Sequence, residues 1–165
     1  MKFKATLIRT THVDSALGGV RLAATDLGLA GLWFDAQRHW PDMSGWVSDD
    51  RQPVLREAAA QLQAYLAGER LTFDLPLDLS HGTAFQLSVW QALLAIPRGR
   101  TTSYGAVSAE LGRPTAVRAV GAAVGRNPLS VIVPCHRVLG AAGDLTGYAG
   151  GLDRKRALLA LEGAR

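Results

Sequence analysis

The chain has 165 residues, of which 48% are hydrophobic, with a single cysteine and a formal net charge of +4 at pH 7. That length suits one compact domain or two small ones, and a lone cysteine excludes both an internal disulfide framework and a zinc site built from several cysteines. The N-terminus lacks the apolar region of a secretory signal, and no segment reaches the roughly 18 apolar residues of a membrane span, so we expect a soluble, cytoplasmic protein.

The first third of the chain predicts a small antiparallel sheet. Three short segments have the composition of strands, and turn-rich segments with Asp, Gly and Ser separate them. An antiparallel meander is the simplest arrangement of such strands. Residues 38–52 show no periodicity and are predicted to form a loop. The three predicted strands are Lys2–Thr11, Val20–Thr25 and Gly31–Phe34.

A helix is predicted next, from Pro53 at its first position to about Ala67, where Gly68 ends it. Its apolar face is expected to carry Leu55, Ala59, Leu62 and Leu66. Residues 75–79 read as a further strand. The composition changes near residues 80–82, so we predict two domains, an N-terminal α/β supporting domain over residues 1–80 and a C-terminal domain over residues 83–165.

The C-terminal domain is predicted to be mostly helical. Thr83 can cap a first helix that ends near Pro97, and a short helix follows from Ser103 or Tyr104 to Leu111. The next helix has Pro114 at its first position and runs to about Val124, which gives a helix-turn-helix candidate. A terminal helix over residues 152–162 is expected to face inward with Leu152, Ala157, Leu158 and Leu161.

The second helix of this candidate has an unusual composition for DNA recognition. Val117, Val120 and Val124 are expected to face the core. Reading base edges in the major groove takes several long polar side chains, and the opposite face has one arginine among small residues. Small residues allow close approach to a minor groove, with Arg118 as a wedge that replaces an extruded base. A tight helix–helix contact with the arginine at its rim is the alternative. The opposite face comprises Thr115, Arg118, Ala119 and Ala122.

Charge is unevenly distributed along the chain. Residues 1–97 carry 8 Lys/Arg against 10 Asp/Glu, whereas residues 98–165 carry 10 against 4. The basic half favours a polyanionic partner, although arginines scattered for solubility explain the charge equally well.

The cysteine follows an apolar, strand-like segment, residues 131–133, and lies between Pro134 and His136. A thiol is a good nucleophile only as the thiolate, and a neighbouring imidazole can supply the base. The residue type alone favours a small buried hydrophobe. The motif favours a chemical role for Cys135, either as an acceptor of a transferred group or as the nucleophile of a thiol hydrolase.

These motifs together resemble the O6-alkylguanine-DNA alkyltransferases, the methylated-DNA–protein-cysteine methyltransferases. The resemblance covers about residues 83–165 and is specific in order and spacing. The N-terminal half is similar only in outline, to a ribonuclease-H-like fold. The matching segments are Arg118–Gly121, Asn127–Pro128, Pro134–Val138, Gly147–Gly151 and Glu162–Gly163.

The resemblance implies an α/β (α+β) fold and irreversible transfer of an alkyl group from O6 of guanine to Cys135, once per molecule. It further implies that His136 ionises the thiol through a bridging water and that Glu162 orients the histidine. Tyr104 would donate a proton to the departing guanine, and Asn127 would form the hinge between recognition helix and active-site segment. Without the resemblance, Glu162 would pass for a solvated helix-end charge and Asn127 for an ordinary turn residue.

The same resemblance implies where base and DNA bind. The N–H of Ala149 would donate to O6, the carbonyls of Cys135 and Val138 would accept from the exocyclic amine, and Tyr148 would line the pocket. Arg118 would fill the gap left by the flipped nucleotide. The residues expected to contact DNA are Thr115, Arg118, Ala119, Ala122 and Ser103.

Two departures from relatives refine these expectations. Some relatives hold a structural zinc through N-terminal cysteines and histidines, but this half has no cysteine, so we expect no metal and ordinary surface or loop roles for His12 and His81. Some bacterial relatives also carry an extra N-terminal module that senses phosphotriesters and activates transcription, and we do not expect that module here. We predict no cofactor, double-stranded DNA with O6-alkylguanine as the partner, and a monomer, with cooperative assembly on DNA left open. A noncatalytic DNA-binding module remains the second alternative, besides the thiol hydrolase.

Overall fold

The computed structural model describes residues 1–4 and 7–164. The N-terminal half forms a four-stranded sheet in the order β3-β2-β1-β4. The first three strands are an antiparallel meander, as predicted, whereas β4 pairs in parallel with β1. The strands are β1 (Arg9–Val13), β2 (Val20–Thr25), β3 (Gly28–Phe34) and β4 (Val47–Ser48).

The strand boundaries differ from the prediction at several points. The predicted first strand, residues 2–11, includes residues 5 and 6, which lie outside the described residues, and β1 begins only at Arg9. The two residues of β4 lie in the predicted loop 38–52 and pair with β1. No strand forms over residues 75–79, where Leu77 makes only an isolated bridge to Leu29. These pairings depend on a distant segment, which local composition does not encode.

Helix α1 (Pro53–Leu66) packs one face against the sheet. Leu55 and Leu62 are buried as predicted, whereas Ala59 and Leu66 are only partly buried. Tyr65 and the polar Gln61 are buried instead. The amide of Gln61 satisfies both polar backbone groups of Asp74, accepting from its N–H and donating to its C=O at 2.9 Å each. Periodicity alone missed Gln61 because its burial depends on this distant partner.

The C-terminal half combines helices with a two-stranded parallel ladder and a long stretch of turns over residues 126–151. Thr83 and Gln86 form a capping box at the start of the first helix. A single 3-10 turn, Cys135–Arg137, leads into the second strand of the ladder. The elements are α2 (Ala84–Leu94), β5 (Thr102–Ser103), α3 (Tyr104–Glu110), α4 (Val117–Gly125), β6 (Val138–Leu139) and α5 (Leu152–Glu162).

Helices α4 and α5 correct two predictions. Helix α4 begins at Val117, because Pro114 and Thr115 form the turn before it. Val117 is 39% exposed, and Ala123 joins Val120 and Val124 on the buried face. On α5 the predicted inward residue Leu152 is 41% exposed. Leu158 is buried as predicted, whereas Ala157 and Leu161 are only partly buried. The buried residues of α5 are Lys155, Leu158, Leu159 and Glu162, which follow helical spacing and include two charged residues.

One hydrophobic core includes residues from both halves of the chain. Phe34 and Leu62 from the N-terminal half belong to the same cluster as Trp90, Val120 and Leu158 from the C-terminal half. The indole N–H of Trp90 donates to the carbonyl of Ala123 at 2.9 Å and so fixes α2 against α4. Among the described residues, no helix is both long and apolar enough to cross a bilayer.

Candidate active site

Cys135 lies at the end of a series of tight turns. The prediction of a strand over residues 131–133 is wrong, because this segment forms turns that bond within themselves. The N–H of Ile132 donates to the carbonyl of Ser130, and that of Cys135 to Val133 at 2.7 Å. Val131 has a φ of 72°, a left-handed conformation that costs energy for a β-branched residue. Such strain is compatible with a backbone held by its surroundings.

Asn127 holds these turns together. Its Oδ1 accepts from the N–H of Leu129 at 2.9 Å, and its Nδ2 donates to the carbonyl of Val133 at 2.8 Å. The side chain therefore spans the segment between α4 and Cys135 and is only 4% exposed. This is the position of the predicted hinge, and the amide satisfies backbone groups that the turns would leave unpaired.

The N-terminal sheet supports the same segment from the other side. The N–H of Leu32 in β3 donates to the carbonyl of Pro128 at 2.8 Å, and the N–H of Ser130 donates to the carbonyl of Leu32 at 3.1 Å. Leu32 and Leu129 thus form a parallel bridge between the two halves of the chain. The edge of the sheet fixes the backbone that precedes Cys135.

A buried polar network lies beside the cysteine. Nε2 of His136 is 2.7 Å from Oε1 of Glu162, and both side chains are fully buried. Arg137 binds the same carboxylate with two nitrogens, Nε to Oε2 and Nη2 to Oε1, each at 2.9 Å. The phenol of Tyr65 also contacts Oε1. Glu162 is therefore a buried carboxylate with several partners and not a solvated charge at the end of a helix.

This network sets the protonation of the histidine. Although burial raises the pKa of Glu162, hydrogen bonds from His136, Arg137 and Tyr65 hold it well below its usual value. The carboxylate is therefore ionised and can only accept, so Nε2 of His136 carries a proton. Burial lowers the pKa of His136, which keeps the ring neutral. Its Nδ1 is left with a lone pair and has no partner among the described residues.

The thiol itself is in a mixed environment. Burial raises the pKa of Cys135, whereas the Asn127 amide, the Lys155 ammonium and nearby backbone N–H groups lower it. A buried thiol of this kind is protonated at rest and needs a base to become nucleophilic. The neutral imidazole of the next residue, His136, is the base that the structure offers.

Cys135 borders a cavity of about 190 Å³ that is open to the surface. The cavity brings together Tyr104, Tyr148 and Ala149, three residues predicted to bind or react with the base. His136 and Glu162 lie behind the cysteine and do not line the cavity, and neither does Val138. The lining residues are Arg38, His39, Tyr104, Gly121, Val124, Gly125, Cys135, Gly147, Tyr148 and Ala149.

Backbone and phenol groups contribute to the polar lining of this cavity, together with Arg38 and His39. The N–H of Arg38 donates to the carbonyl of Ala149 at 2.9 Å, while the N–H of Ala149 makes no backbone hydrogen bond within residues 1–4 and 7–164. The Tyr104 hydroxyl donates to the carbonyl of Thr146 at 3.0 Å. Burial raises the pKa of both Tyr104 and Tyr148, so both phenols keep their protons.

A fully buried lysine anchors residues 138–149, the segment whose last three residues line the cavity. Nζ of Lys155 donates to the carbonyl of Val138 at 2.6 Å and to those of Thr146 and Gly147 at 3.2 Å each. Gly147 has a φ of 58°, so a side chain at this position would strain the backbone. Val138, predicted to receive the base through its carbonyl, thus already accepts from Lys155.

Four of the five residues predicted to contact DNA are exposed. Thr115, Arg118, Ala119 and Ala122 are all exposed on or just before α4. Ser103 is partly buried, and its Oγ accepts from the N–H of Ala106 at 3.1 Å, so it caps α3. Its hydroxyl hydrogen is still available to another acceptor. These four exposed residues leave a smooth helix face from which only Arg118 projects as a long side chain.

Sequence reasoning missed several residues that shape the site. Lys155 belongs to the i, i+3, i+4, i+7 pattern that ends at Glu162, and that spacing could have identified it. Arg38 and His39 come from the predicted loop, and no sequence signal connects them to Cys135. The same holds for Tyr65, which is 97 positions from Glu162. Tertiary packing alone brings these side chains together.

The histidines outside the site have ordinary structural contacts. His12 pairs with Asp35 at the surface, at 2.9 Å. His81 is not a surface residue but is 8% exposed, with Nε2 against Asp78 and Nδ1 accepting from the N–H of Lys4. Across the described part of the chain, no group of three or more His, Cys, Asp or Glu residues could hold a metal ion.

Comparison with known proteins gives one consistent family. Residues 84–164 match the family model of the 6-O-methylguanine DNA methyltransferase DNA-binding domain. Residues 8–79 match that of the 6-O-methylguanine DNA methyltransferase ribonuclease-like domain. The methylated-DNA–protein-cysteine methyltransferase of Mycolicibacterium paratuberculosis is 49% identical over 94% of this chain and 93% of its own. That of Methanosarcina acetivorans is 47% identical, over 92% and 96%.

Solved structures agree. The Mycobacterium tuberculosis OGT in complex with DNA is 48% identical and superposes with a TM-score of 0.85, covering 96% of this chain and 93% of that one. The O6-methylguanine-DNA methyltransferase of Pyrococcus kodakaraensis, at 22% identity, shares the fold with a TM-score of 0.62. By sequence and by fold, the chain belongs to the 6-O-methylguanine DNA methyltransferase family.

Proposed function

We propose that this protein repairs DNA by moving the alkyl group of O6-alkylguanine, chiefly O6-methylguanine, onto Sγ of Cys135. The observation that carries this proposal is the position of Cys135, which borders an open cavity while the buried His136–Glu162 pair lies behind it. A transfer site needs a nucleophile that faces the substrate and an adjacent base that takes its proton. The names of the close relatives state the same reaction.

The proposed reaction is a single displacement. The proton of the Cys135 thiol passes to Nδ1 of His136 through a water molecule, and the thiolate attacks the alkyl carbon. The S–C bond forms as the C–O6 bond breaks, and guanine leaves with the electron pair. The Tyr104 phenol then supplies a proton to a ring nitrogen of the leaving base and regains one at the expense of the His136 imidazolium, so the thiol proton ends on guanine. The thioether on Cys135 is stable, so each molecule reacts once.

The cavity supports selection of guanine by backbone groups. In this proposal the N–H of Ala149 donates to O6, the Cys135 and Val138 carbonyls accept from the exocyclic amine, and the Tyr148 ring packs on the base. The 2.6 Å bond from Lys155 uses one lone pair of the Val138 carbonyl and leaves the second. Recognition by backbone needs no variety of side chains.

The face of α4 supports binding in the minor groove of duplex DNA. Ala119 and Ala122 allow close approach, and Arg118 can enter the base stack as the damaged nucleotide rotates out. Residues 98–165 carry the excess of basic side chains, which favours attraction to phosphates. Thr115 and Ser103 would contact the backbone. We further propose that the protein acts as a monomer in the reducing cytoplasm and needs no metal or cofactor.

Intact-protein mass spectrometry after incubation with duplex DNA containing O6-methylguanine tests this function. We expect one added methyl group per molecule, located on Cys135 by peptide mapping, and no adduct on Cys135→Ser. The Cys135→Ser variant should still bind the duplex. A folded protein that never gains the methyl group would refute the proposal.

The same experiment separates the alternatives. A thiol hydrolase would release product repeatedly and return to its unmodified mass, whereas the transferase stops after one equivalent. A noncatalytic DNA-binding module would function equally well as Cys135→Ala. Product counted per mole of protein, at substrate excess, decides between them.

A further inference from the structure

Tyr65 connects the N-terminal half of the chain to the reactive network. It lies in the last turn of α1, is 1% exposed, and its hydroxyl contacts Oε1 of Glu162. Oε1 is the same oxygen that His136 contacts at 2.7 Å. Thus a side chain from outside the C-terminal half shares an acceptor with the histidine beside Cys135.

The direction of this hydrogen bond follows from its neighbours. Arg137 lies 3.3 Å from the Tyr65 oxygen through Nη2, and a guanidinium can only donate. The ionised Glu162 can only accept. The phenol therefore accepts from Arg137 and gives its single proton to Glu162. No other assignment satisfies all three groups.

Two side chains, Arg98 and Phe73, pack against the tyrosine ring. The guanidinium carbon of Arg98 lies 4.9 Å from the ring centroid, and Arg98 itself donates to the carbonyl of Leu161 at 3.0 Å. The ring centroids of Phe73 and Tyr65 are 4.7 Å apart. A ring packed in this way keeps the hydroxyl oxygen beside Glu162.

We infer that Tyr65 is a positioning residue through which the N-terminal domain sets the proton affinity of His136. The consequence of this inference for repair rests on the proposed function, whereas the measurements that test it do not. Tyr65 does not line the cavity that Cys135 borders. Its effect on His136 therefore passes through Glu162, whose Oε1 both side chains contact.

The physical reason is the sharing of negative charge. Each donor on Oε1 disperses the charge of the carboxylate and weakens its attraction for a proton on His136. With the Tyr65 donor present, the imidazole stays neutral and keeps its Nδ1 lone pair for the thiol proton. The other titratable or charged groups around His136 are Arg137 and Lys155, which disfavour the imidazolium, and the Cys135 thiol.

The test is Tyr65→Phe, which removes the hydroxyl and keeps the ring. NMR of ¹³C-labelled histidine should show the pKa of His136 rising by at least about half a unit, because Glu162 then attracts the imidazolium more strongly. His136→Gln identifies its resonance among the four histidines. The acid limb of the rate of Cys135 alkylation by iodoacetamide should move to higher pH by a similar amount.

Thr25→Val is the matched control, because Thr25 also donates a buried hydroxyl to a carboxylate, Asp78, away from the network. It should leave both titrations unchanged. In a Glu162→Gln background, Tyr65→Phe should have no further effect on the His136 titration. An unchanged titration in folded Tyr65→Phe, or a shift that persists without Glu162, would overturn the inference. Neither readout needs DNA, so both remain valid if no methyl group is transferred.

Discussion

The buried ammonium of Lys155 and the carbonyl oxygen of Val138 lie 2.6 Å apart, at the point where the chain leaves the reactive 3-10 turn. The same ammonium reaches the carbonyls of Thr146 and Gly147, so one side chain fixes both ends of the segment that closes the cavity. A buried cation is tolerated here because three carbonyl dipoles replace its water.

Lys155→Met should therefore loosen this segment. Methionine keeps the length and apolar stem, but three carbonyls lose their donor, and we expect the free energy of unfolding to fall by about 2–4 kcal/mol. Urea denaturation measures the loss, and limited proteolysis should show new cleavage between residues 139 and 151. Arg156→Met, an exposed change at the next position of α5, serves as the control. Equal stability of the two variants would contradict the anchoring role.

Asn127→Ala should destabilise the turns before Cys135. The change removes the acceptor for Leu129 and the donor for Val133 in a buried setting, so a loss of about 2–3 kcal/mol is expected. Asn127→Asp keeps the acceptor but places a carboxylate against the Val133 carbonyl, and it should be at least as damaging. Thermal unfolding of both variants checks this. A loss in Asn127→Asp much smaller than in Asn127→Ala would mean that the bond to Val133 contributes little.

Arg118→Ala should separate DNA engagement from chemistry. The arginine is exposed on α4 and lies outside the cavity, so reaction with a free O6-alkylguanine base should be nearly unchanged. Reaction with alkylated duplex DNA should fall about tenfold or more, as expected for losing about 1.4 kcal/mol of binding. The control is Arg56→Ala, an exposed arginine on α1. Equal losses with base and duplex would rule out a role for Arg118 as a wedge.

Stability should depend on pH in two steps. The folded pKa of His136 is lowered, so the unfolded chain binds the proton first, and stability falls as pH drops below the ordinary value of 6.5. The folded pKa of Glu162 is also lowered, so the stability that its ionised form provides is present above 4.5 and lost progressively below it. Urea denaturation from pH 8 to pH 3 measures both. Glu162→Gln should flatten the lower step, and an unchanged profile would contradict the assignment.

The sequence predicted elements best where local signals were strong. Pro53 and the capping residue Thr83 placed the starts of α1 and α2, and strand-like composition between turn-rich segments placed β2. It failed where a distant partner decides, as in the pairing of β4 with β1. It also failed at residues 131–133, where apolar composition favoured a strand but short-range hydrogen bonds form turns. Helix faces were partly wrong for a related reason. Apolar residues were assumed to face inward, whereas Lys155 and Glu162 are buried because specific partners satisfy their charges.

By itself the sequence determined the nucleophile, the family and the expected reaction, because Pro134-Cys135-His136 and the segments around it form a local pattern with a known spacing. Only the tertiary structure decided which side chains surround the thiol and set the protonation of its base, His136. Packing of α5 and α1 brings Glu162 and Tyr65 onto one side of His136, and the N-terminal loop brings Arg38 and His39 to the cavity. Burial and shared hydrogen bonds set proton affinities, and both depend on residues far apart in the chain.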